Sequence, residues 1–340
     1  MRVKNKDIAK ITNVSTATVS LALNDKPGVN RATRMKILRA AKMLSDNSRL
    51  HKALDRLSED YIIFLKIVKH GHVLNRDHDV FIATYLEGLD DEAKLNGYKL
   101  GIETLNSSDI AEAVGLLSDN RANGFIVLGT ELTASDVERL LRIGKPMVFM
   151  DTHYDFESAH FVDMDNTSDV LKVIQYLQDM GHREIGYLRS DAKVRNFILR
   201  DEGFEKAVNH LGITLHEKYI FTVDSTFDGA YHDMMRHLTG RRKLPTAFFA
   251  VNDITAYGCI KALREKGYRI PQDISIIGFD DLPTSAIMDP PLSTLRVMNK
   301  QIGQTAMRLA MRRIREGDAL PITKVTLGSE LVIRKSVLRI

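Results

Sequence analysis

The chain has 340 residues, 44% of them hydrophobic and 27% charged, with one cysteine and a formal net charge of +4. That length exceeds one small core and predicts two or three domains, and the composition is that of a soluble globular protein. No apolar run reaches membrane-span length, and Met1-Arg2-Val3-Lys4-Asn5-Lys6-Asp7 shows no signal region, so a cytoplasmic protein without a membrane partner is expected. Cys259 alone excludes an internal disulfide framework and reads as a small core residue on a helix.

Charge is unevenly spread. Residues 1–57 carry thirteen Lys or Arg against four Asp, a net of +9, so the remainder sums to −5. A basic head on a mildly acidic body is the footprint of a nucleic-acid module joined to something else. Within the head, Ile8, Ala9 and Ile11 give one short helix an apolar face, and Val19, Ala22 and Leu23 do so for a second. Asn13 between them tolerates the left-handed conformation of a tight turn, and Ser15 is a favourable N-cap. Two short helices around such a turn form a helix-turn-helix, whose second helix enters the DNA major groove. Its outer side would carry Thr16, Ala17, Ser20 and Leu21. Lys4, Lys6 and the hydroxyls of Ser15, Thr18 and Ser20 flank that helix and suit phosphate contacts. Asn24 completes this set of DNA-contact candidates. A third helix, from Val29-Asn30 to about Leu44, turns Ile37, Leu38, Ala41 and Leu44 inward. Its Arg34, Lys36 and Arg39 are solvated surface or phosphate contacts, with at least one of them solvated.

The run Asp7-Ile8-Ala9, Val14-Ser15-Thr16-Ala17-Thr18-Val19-Ser20, Leu23-Asn24, then Val29, Thr33-Arg34 and Ala40-Ala41 resembles the DNA-binding head of the lactose-repressor (LacI/GalR) family. The resemblance implies that Thr16, Ala17 and Leu21 occupy base-reading positions. It also implies a hinge helix after the head, with a leucine wedged into the minor groove. Residues 46–60 depart from the family pattern: Asp46 and Ser48 stand where Tyr and Pro are usual, and Ala53-Leu54 ends the motif one residue early. Leu54 is the candidate wedge, with Leu57 as its rival.

From Tyr61 apolar strands alternate with amphipathic helices. Strands are predicted over 61–68, 99–103, 124–128 and 146–151, and helices over 79–96, 109–117 and 135–143. A second unit after Phe161–Asn166 has helices over 168–180, 200–211, 227–238 and 253–266. Its strands fall over 185–188, 219–223, 247–251 and 274–279, and the tail supplies a helix over 302–315 and two short strands. Repeated β-α units predict open, mainly parallel sheets. The resulting fold class is a three-helix helix-turn-helix head plus an α/β periplasmic-binding-protein-like body of two doubly wound parallel-sheet subdomains. The head and hinge take residues 1–57 and the effector-binding and dimerisation domain 58–340. One subdomain covers about 61–163 and 299–321, and the other about 164–296 and 322–340.

Two such units form a cleft, and ligands bind beyond the carboxyl ends of the strands. Arg200, in Arg-x-x-Gly-Phe, is placed at a strand-to-helix junction and can fork onto hydroxyls or a carboxylate. Asn252 and Asp280 each follow a buried strand and suit sugar hydroxyls. Patches at 163–166, 181–183, 200–204, 252–253 and 278–281 are also similar to the family, which implies that Arg200, Asn252, Asp280 and Asp151 line the effector site. Asp253 and Asp281 read as caps. The loop 66–79, with Lys66, Lys69, His70, His72, Arg76 and His78, would favour an anionic effector if it faced the cleft; a solvated loop is the alternative, and the histidine spacing is weak for a metal.

Gly-x-Ser-x-Gly, Gly-x4-Gly-Lys-Ser/Thr and Gly-x-Gly-x-x-Gly are all absent, so no catalytic residue, cofactor or metal is expected. The resemblance implies a ligand-responsive homodimeric repressor of carbohydrate-related genes. It would bind a double-stranded operator and a small effector: a sugar, sugar acid or sugar phosphate. The rival readings are a soluble sugar-binding module and an enzyme on a doubly wound fold.

Overall fold

The computed structural model describes residues 5–24, 26–44, 60–240 and 243–340. The chain divides into two compact units, residues 1–61 with 97–99 and residues 62–96 with 100–340. In the first unit α1 (Asn5–Thr12), α2 (Thr16–Leu23) and α3 (Arg31–Leu44) close on Ile8, Ala9, Val19, Ala22, Ile37, Ala40 and Ala41. Helices this short are marginal in isolation, so mutual burial of these faces holds them. Arg34 departs from expectation. It is buried, and its Nη2 donates to the Lys26 carbonyl, bracing the turn ahead of α3. Lys4, Leu54, Leu57 and the whole 46–59 hinge prediction lie outside the described residues.

The second unit runs β1 (Tyr61–Val68), α4 (Asp79–Leu95), β2 (Lys99–Asn106), α5 (Ile110–Asp119), β3 (Gly124–Leu128), α6 (Ala134–Leu141), β4 (Met147–Met150) and β5 (His160–Met164). It continues with α7 (Asn166–Asp179), β6 (Ile185–Ser190), α8 (Arg195–His210), β7 (Ile220–Val223), α9 (Phe227–His237), β8 (Ala247–Ala250) and α10 (Asp253–Glu265). The last elements are β9 (Ser275–Ile277), α11 (Pro283–Ile287), β10 (Thr294–Arg296), α12 (Asn299–Glu316), β11 (Lys324–Leu327) and β12 (Glu330–Val332).

Two sheets organise two lobes. The first lobe has strand order β11-β5-β4-β3-β1-β2 and the second β7-β6-β8-β9, while β10 and β12 pair antiparallel on their own. The β1/β3, β3/β4, β4/β5 and β5/β11 pairs of the first sheet are parallel, as are β6/β7, β6/β8 and β8/β9 of the second. β3, β4, β5 and β8 are buried along their whole length, as strands covered on both faces must be. Where α4 and α12 cross, a Cβ on Gly88 would stand 2.0 Å from the Lys300 carbonyl oxygen, and one on Gly303 2.3 Å from that of Tyr85. Only glycine permits that approach, and it fixes Tyr85 beneath the cleft.

Several boundaries differ from the sequence reading, among them β2, which runs to Asn106 rather than 103, and α12, which begins at Asn299 rather than 302; two further differences bear on the cleft. β11 pairs in register with β5, Lys324 opposite Phe161 and Leu327 opposite Met164, so residues 324–327 belong to the first lobe's sheet and the chain returns to the second lobe only after Leu327. Alternation alone cannot tell which sheet adopts an edge strand. The helix predicted from Arg200 begins at Arg195, which places Arg200 in its second turn. Cys259 is buried, in keeping with a core role.

Candidate functional sites

In the head, Asn13 has φ +53°, the left-handed turn residue its position demanded. Ser15 caps α2, its Oγ accepting from the Thr18 amide at 3.0 Å and lying 2.7 Å from the Thr18 hydroxyl. Val19 and Ala22 face the core, while Thr16 and Ala17 are exposed and Thr18, Ser20 and Leu21 half-buried. The helix therefore presents a narrow edge of small side chains, the shape that fits closely against base edges. Asn24 closes α2, donating from Nδ2 to the Ser20 carbonyl at 2.9 Å. Lys6 is exposed on α1. Ser15, Thr18 and Asn24 thus have structural tasks of their own, which leaves Thr16, Ala17, Ser20 and Leu21 as the less committed surface.

In the second unit, all four residues predicted from the sequence line one cavity of about 430 Å³ between the lobes: Asp151, Arg200, Asn252 and Asp280. Apart from His78, which lies on the loop between β1 and α4, the cavity's polar groups come from the carboxyl end of a parallel strand or the helix that follows. His78, Phe81, Thr130, Asn196 and Phe197 complete the parts that matter below. These five were missed by the sequence reading, although Thr130 follows β3 in the way Asn252 follows β8. His78 was noted only as one of several loop cations.

The two carboxylates differ sharply. Asp151, at φ +61°, accepts from the Tyr85 hydroxyl at 2.8 Å, from Asn196 Nδ2 at 3.3 Å and from the Thr130 hydroxyl. Burial and the neighbouring Asp163 carboxylate push its pKa up to about 7, against the pull of Thr130, Tyr85 and Arg200. Asp280, at φ +125°, is buried and has one charged neighbour, Arg200 Nη2 at 3.8 Å, beyond hydrogen-bond reach. Burial raises its pKa well above the carboxylate range, opposed by Arg200 and reinforced by Asp253 and Asp151.

Arg200 is largely spent within the protein. Its Nε donates to Asn166 Oδ1 at 2.9 Å, Nη1 to the Val251 carbonyl at 2.6 Å and Nη2 to Met164 sulfur at 3.1 Å, and its plane sits 3.7 Å from the Phe279 ring centroid. Asn252 caps α10, Oδ1 accepting from the Thr255 amide at 2.9 Å, and its Nδ2 lies 3.0 Å from His78 Nε2. That contact makes Nε2 the acceptor and leaves the proton on Nδ1, which faces Asn75 Oδ1 at 3.4 Å. Burial above all pushes the His78 pKa down to about 4, so the ring is uncharged at neutral pH.

The other loop cations do not reach this cavity. Lys66 pairs with Asp79 at 2.9 Å and Lys69 with Asp136 at 2.6 Å. Asp253 and Asp281 brace the fold: Asp253 accepts from the Leu282 amide, Ser285 Oγ and Thr294 Oγ1, and Asp281 pairs with Arg296 and Arg334. Among the described residues no helix is long and apolar enough to cross a membrane.

Comparison with known proteins agrees with this arrangement in both units. The family described as bacterial regulatory proteins, lacI family, matches residues 5–45, and the periplasmic binding protein-like domain matches residues 174–337. The chain is 30% identical over 337 residues to the HTH-type transcriptional repressor PurR of Histophilus somni, and 29% identical over 338 residues to that of Haemophilus influenzae; each alignment covers 98% of both chains. A lac repressor dimer bound to operator and the anti-inducer ONPF superposes with a TM-score of 0.74 at 22% identity, over 99% of this chain and 100% of that one. A complex of the transcriptional regulator CelR with cellobiose gives 0.72 at 22% identity, over 98% and 100%. The two structures show a shared fold, and the full-length sequence relatives settle the lineage: the chain belongs to the lacI family of bacterial regulatory proteins.

Proposed function

We propose that this regulator is a repressor whose operator affinity is set by a neutral, single-ring polyhydroxylated ligand, a monosaccharide, held in the interlobe cavity. The observation that carries the reading is Asp280: a buried carboxylate at the cavity wall with no protein donor within hydrogen-bond distance among the described residues. A buried carboxyl group left this way is costly, and two neighbouring hydroxyls of a sugar, which both donate and accept, would supply the partners it lacks while accepting from what remains of Arg200. Phe81 and Phe197 offer apolar faces to the ring. Two carboxyl groups, a committed arginine and an uncharged histidine disfavour an anion, so sugar acids and sugar phosphates are the weaker candidates.

A ligand bridging the two lobes stabilises their closed relation, and it can shift operator binding only as far as it discriminates closed from open. The family relationship supports a homodimer whose two heads read the halves of a near-palindromic operator through Thr16, Ala17, Ser20 and Leu21. Enzymatic turnover has no support in the cavity, whose hydrogen-bonding groups are arranged to hold.

The test selects an operator from a random duplex pool with the full chain, then screens pentoses, hexoses, sugar acids, sugar phosphates and nucleobases by melting temperature and by operator affinity. A neutral monosaccharide is expected to raise the melting temperature by mass action and to change operator affinity in the same concentration range. Selection of no palindrome, or a response confined to anions or nucleobases, overturns the reading.

A further inference from the structure

Residues 69–78 cross the cleft as a strap. On the first lobe a single carboxylate fastens it. Glu131 Oε2 accepts from the backbone amides of Lys69, His70 and Gly71 at 2.9, 3.0 and 3.1 Å, and Oε1 accepts from those of Val73 and Leu74 at 3.1 and 2.9 Å. The Glu131 side chain is wholly buried. Burial alone would raise its pKa, yet the converging amides hold it below the ordinary glutamate value. On the second lobe the strap is met by Ser225 Oγ, which donates to the His72 carbonyl at 2.5 Å, and by Asn252 at His78.

The strap divides the cleft. Val73, Leu74 and His78 line the inner cavity of about 430 Å³, whereas Lys69, His70, His72 and Glu131 itself line a separate outer compartment of about 1180 Å³. The partition is completed from the second lobe by residues 191–198, with Val194 and Asn196 on the inner side and Lys193 and Arg195 on the outer.

We propose that Glu131 is the positioning residue that sets ligand size: by fixing the strap between the two compartments it confines the inner cavity to one ring and excludes a second. This rests on the inner cavity being the ligand site. Without the tether, five backbone amides lose an ionised acceptor at once. Such bonds are about twice as strong as neutral ones. The strap then loosens, and the two compartments merge into a site long enough for a disaccharide.

Glu131→Gln keeps the volume but turns an amide group toward backbone donors, and Ser225→Ala releases only the far end of the strap. Amide hydrogen exchange on the ligand-free full-length protein reads the tether without reference to any ligand. Residues 69–74 are expected to exchange at least about tenfold faster in Glu131→Gln, with a smaller rise in Ser225→Ala. Titration with glucose and cellobiose reads the size limit. Wild type is expected to prefer glucose, and Glu131→Gln to shift the cellobiose-to-glucose affinity ratio at least about tenfold towards cellobiose. A purely structural role would weaken both sugars together. Unchanged exchange at 69–74 overturns the tether; an unchanged ratio, or no binding of either sugar by either protein, overturns the size limit. If exchange rises while no monosaccharide of the wider screen binds wild type, the ligand reading falls and the tether stands.

Discussion

The two walls of the interlobe cavity are topologically alike and chemically opposite. On the first lobe Asp151 follows β4, on the second Asp280 follows β9, and both hold left-handed backbone angles at the carboxyl end of a parallel strand. Asp151 is wired into the protein by Tyr85, Thr130 and Asn196, while Asp280 receives no hydrogen bond from any described side chain. One lobe has spent its carboxylate on holding itself together, and the other has kept its carboxylate for something that arrives. A buried acid with every donor in place is architecture. One with none from the protein is the group we propose for the ligand, whose hydroxyls would supply the missing partners.

The largest effect should come from Asp280→Asn, which tolerates the positive φ and removes the acceptor pair. Monosaccharide affinity is expected to fall at least ~100-fold, about 3 kcal/mol, as measured by calorimetric titration. The ligand-free protein should melt no lower than wild type at pH 7.5, because the substitution removes an unpartnered buried acid. A large loss of stability with modest loss of binding would make Asp280 a second Asp151 and erase the contrast.

A subtler separation comes from pH. The folded pKa of Asp151, about 7, exceeds the ~3.9 of an unfolded aspartate, so the folded state holds the extra proton and stability from this group falls as pH rises from about 4 to 7. His78 has the opposite sign. Its folded value of about 4 lies below the ~6.5 of an unfolded histidine, so its contribution is present above 6.5 and is lost as pH falls towards 4. The two slopes oppose each other over the same window. Melting temperature against pH is therefore expected to fall more steeply with rising pH in His78→Gln than in wild type, and less steeply in Asp151→Asn. Parallel curves for all three proteins would show that neither group titrates where its surroundings place it.

How far the sequence could lead follows from the same contrast. Asn13, Ser15, Val19 and Ile37 were legible because each answers a local rule of turn, cap or helix face. Asn252 and Asp280 were legible because they stand just past strand ends, whereas Arg200 was reached through its Arg-x-x-Gly-Phe pattern and lies in the second turn of α8. What they do there was not: Arg200 is consumed by Asn166, Val251 and Met164, and Asn252 by its own helix and His78. Apart from the cap on Thr255, those assignments depend on partners 34 to 174 residues away, which no local pattern encodes. His78 shows the point most clearly. Beside Lys69, His70 and His72 it reads as one more cation, yet burial holds its ring uncharged, and it alone of the four lines the inner cavity. The placement of β11 in the first sheet was hidden for a similar reason, since edge pairing is decided by register with β5.

The smallest effect is expected where the walls touch. Asn196, from the second lobe, donates Nδ2 to the Asp151 carbonyl at 3.0 Å and to its carboxylate at 3.3 Å, and its Oδ1 accepts from Asn166 at 3.2 Å. Asn166 in turn accepts from Arg200, so one line of side chains runs from the wired wall to the open one. Asn196→Ala cuts that line while Asp151 keeps Tyr85 and Thr130, and Arg200 keeps Val251 and Met164. The loss is then the Nδ2 donor shared between the Asp151 carbonyl and carboxylate, together with the Asn166 bond, about 1–2 kcal/mol, or roughly a five- to thirtyfold drop in affinity. Because the cost falls on closure, all ligands should weaken by the same factor. A double-mutant cycle with Asp151→Asn should show strong coupling, whereas one with Asp280→Asn should be nearly additive. Strong coupling to Asp280 instead would mean that the open wall is held from the wired side through Asn166 and Arg200, and the two lobes would have to be regarded as one binding group.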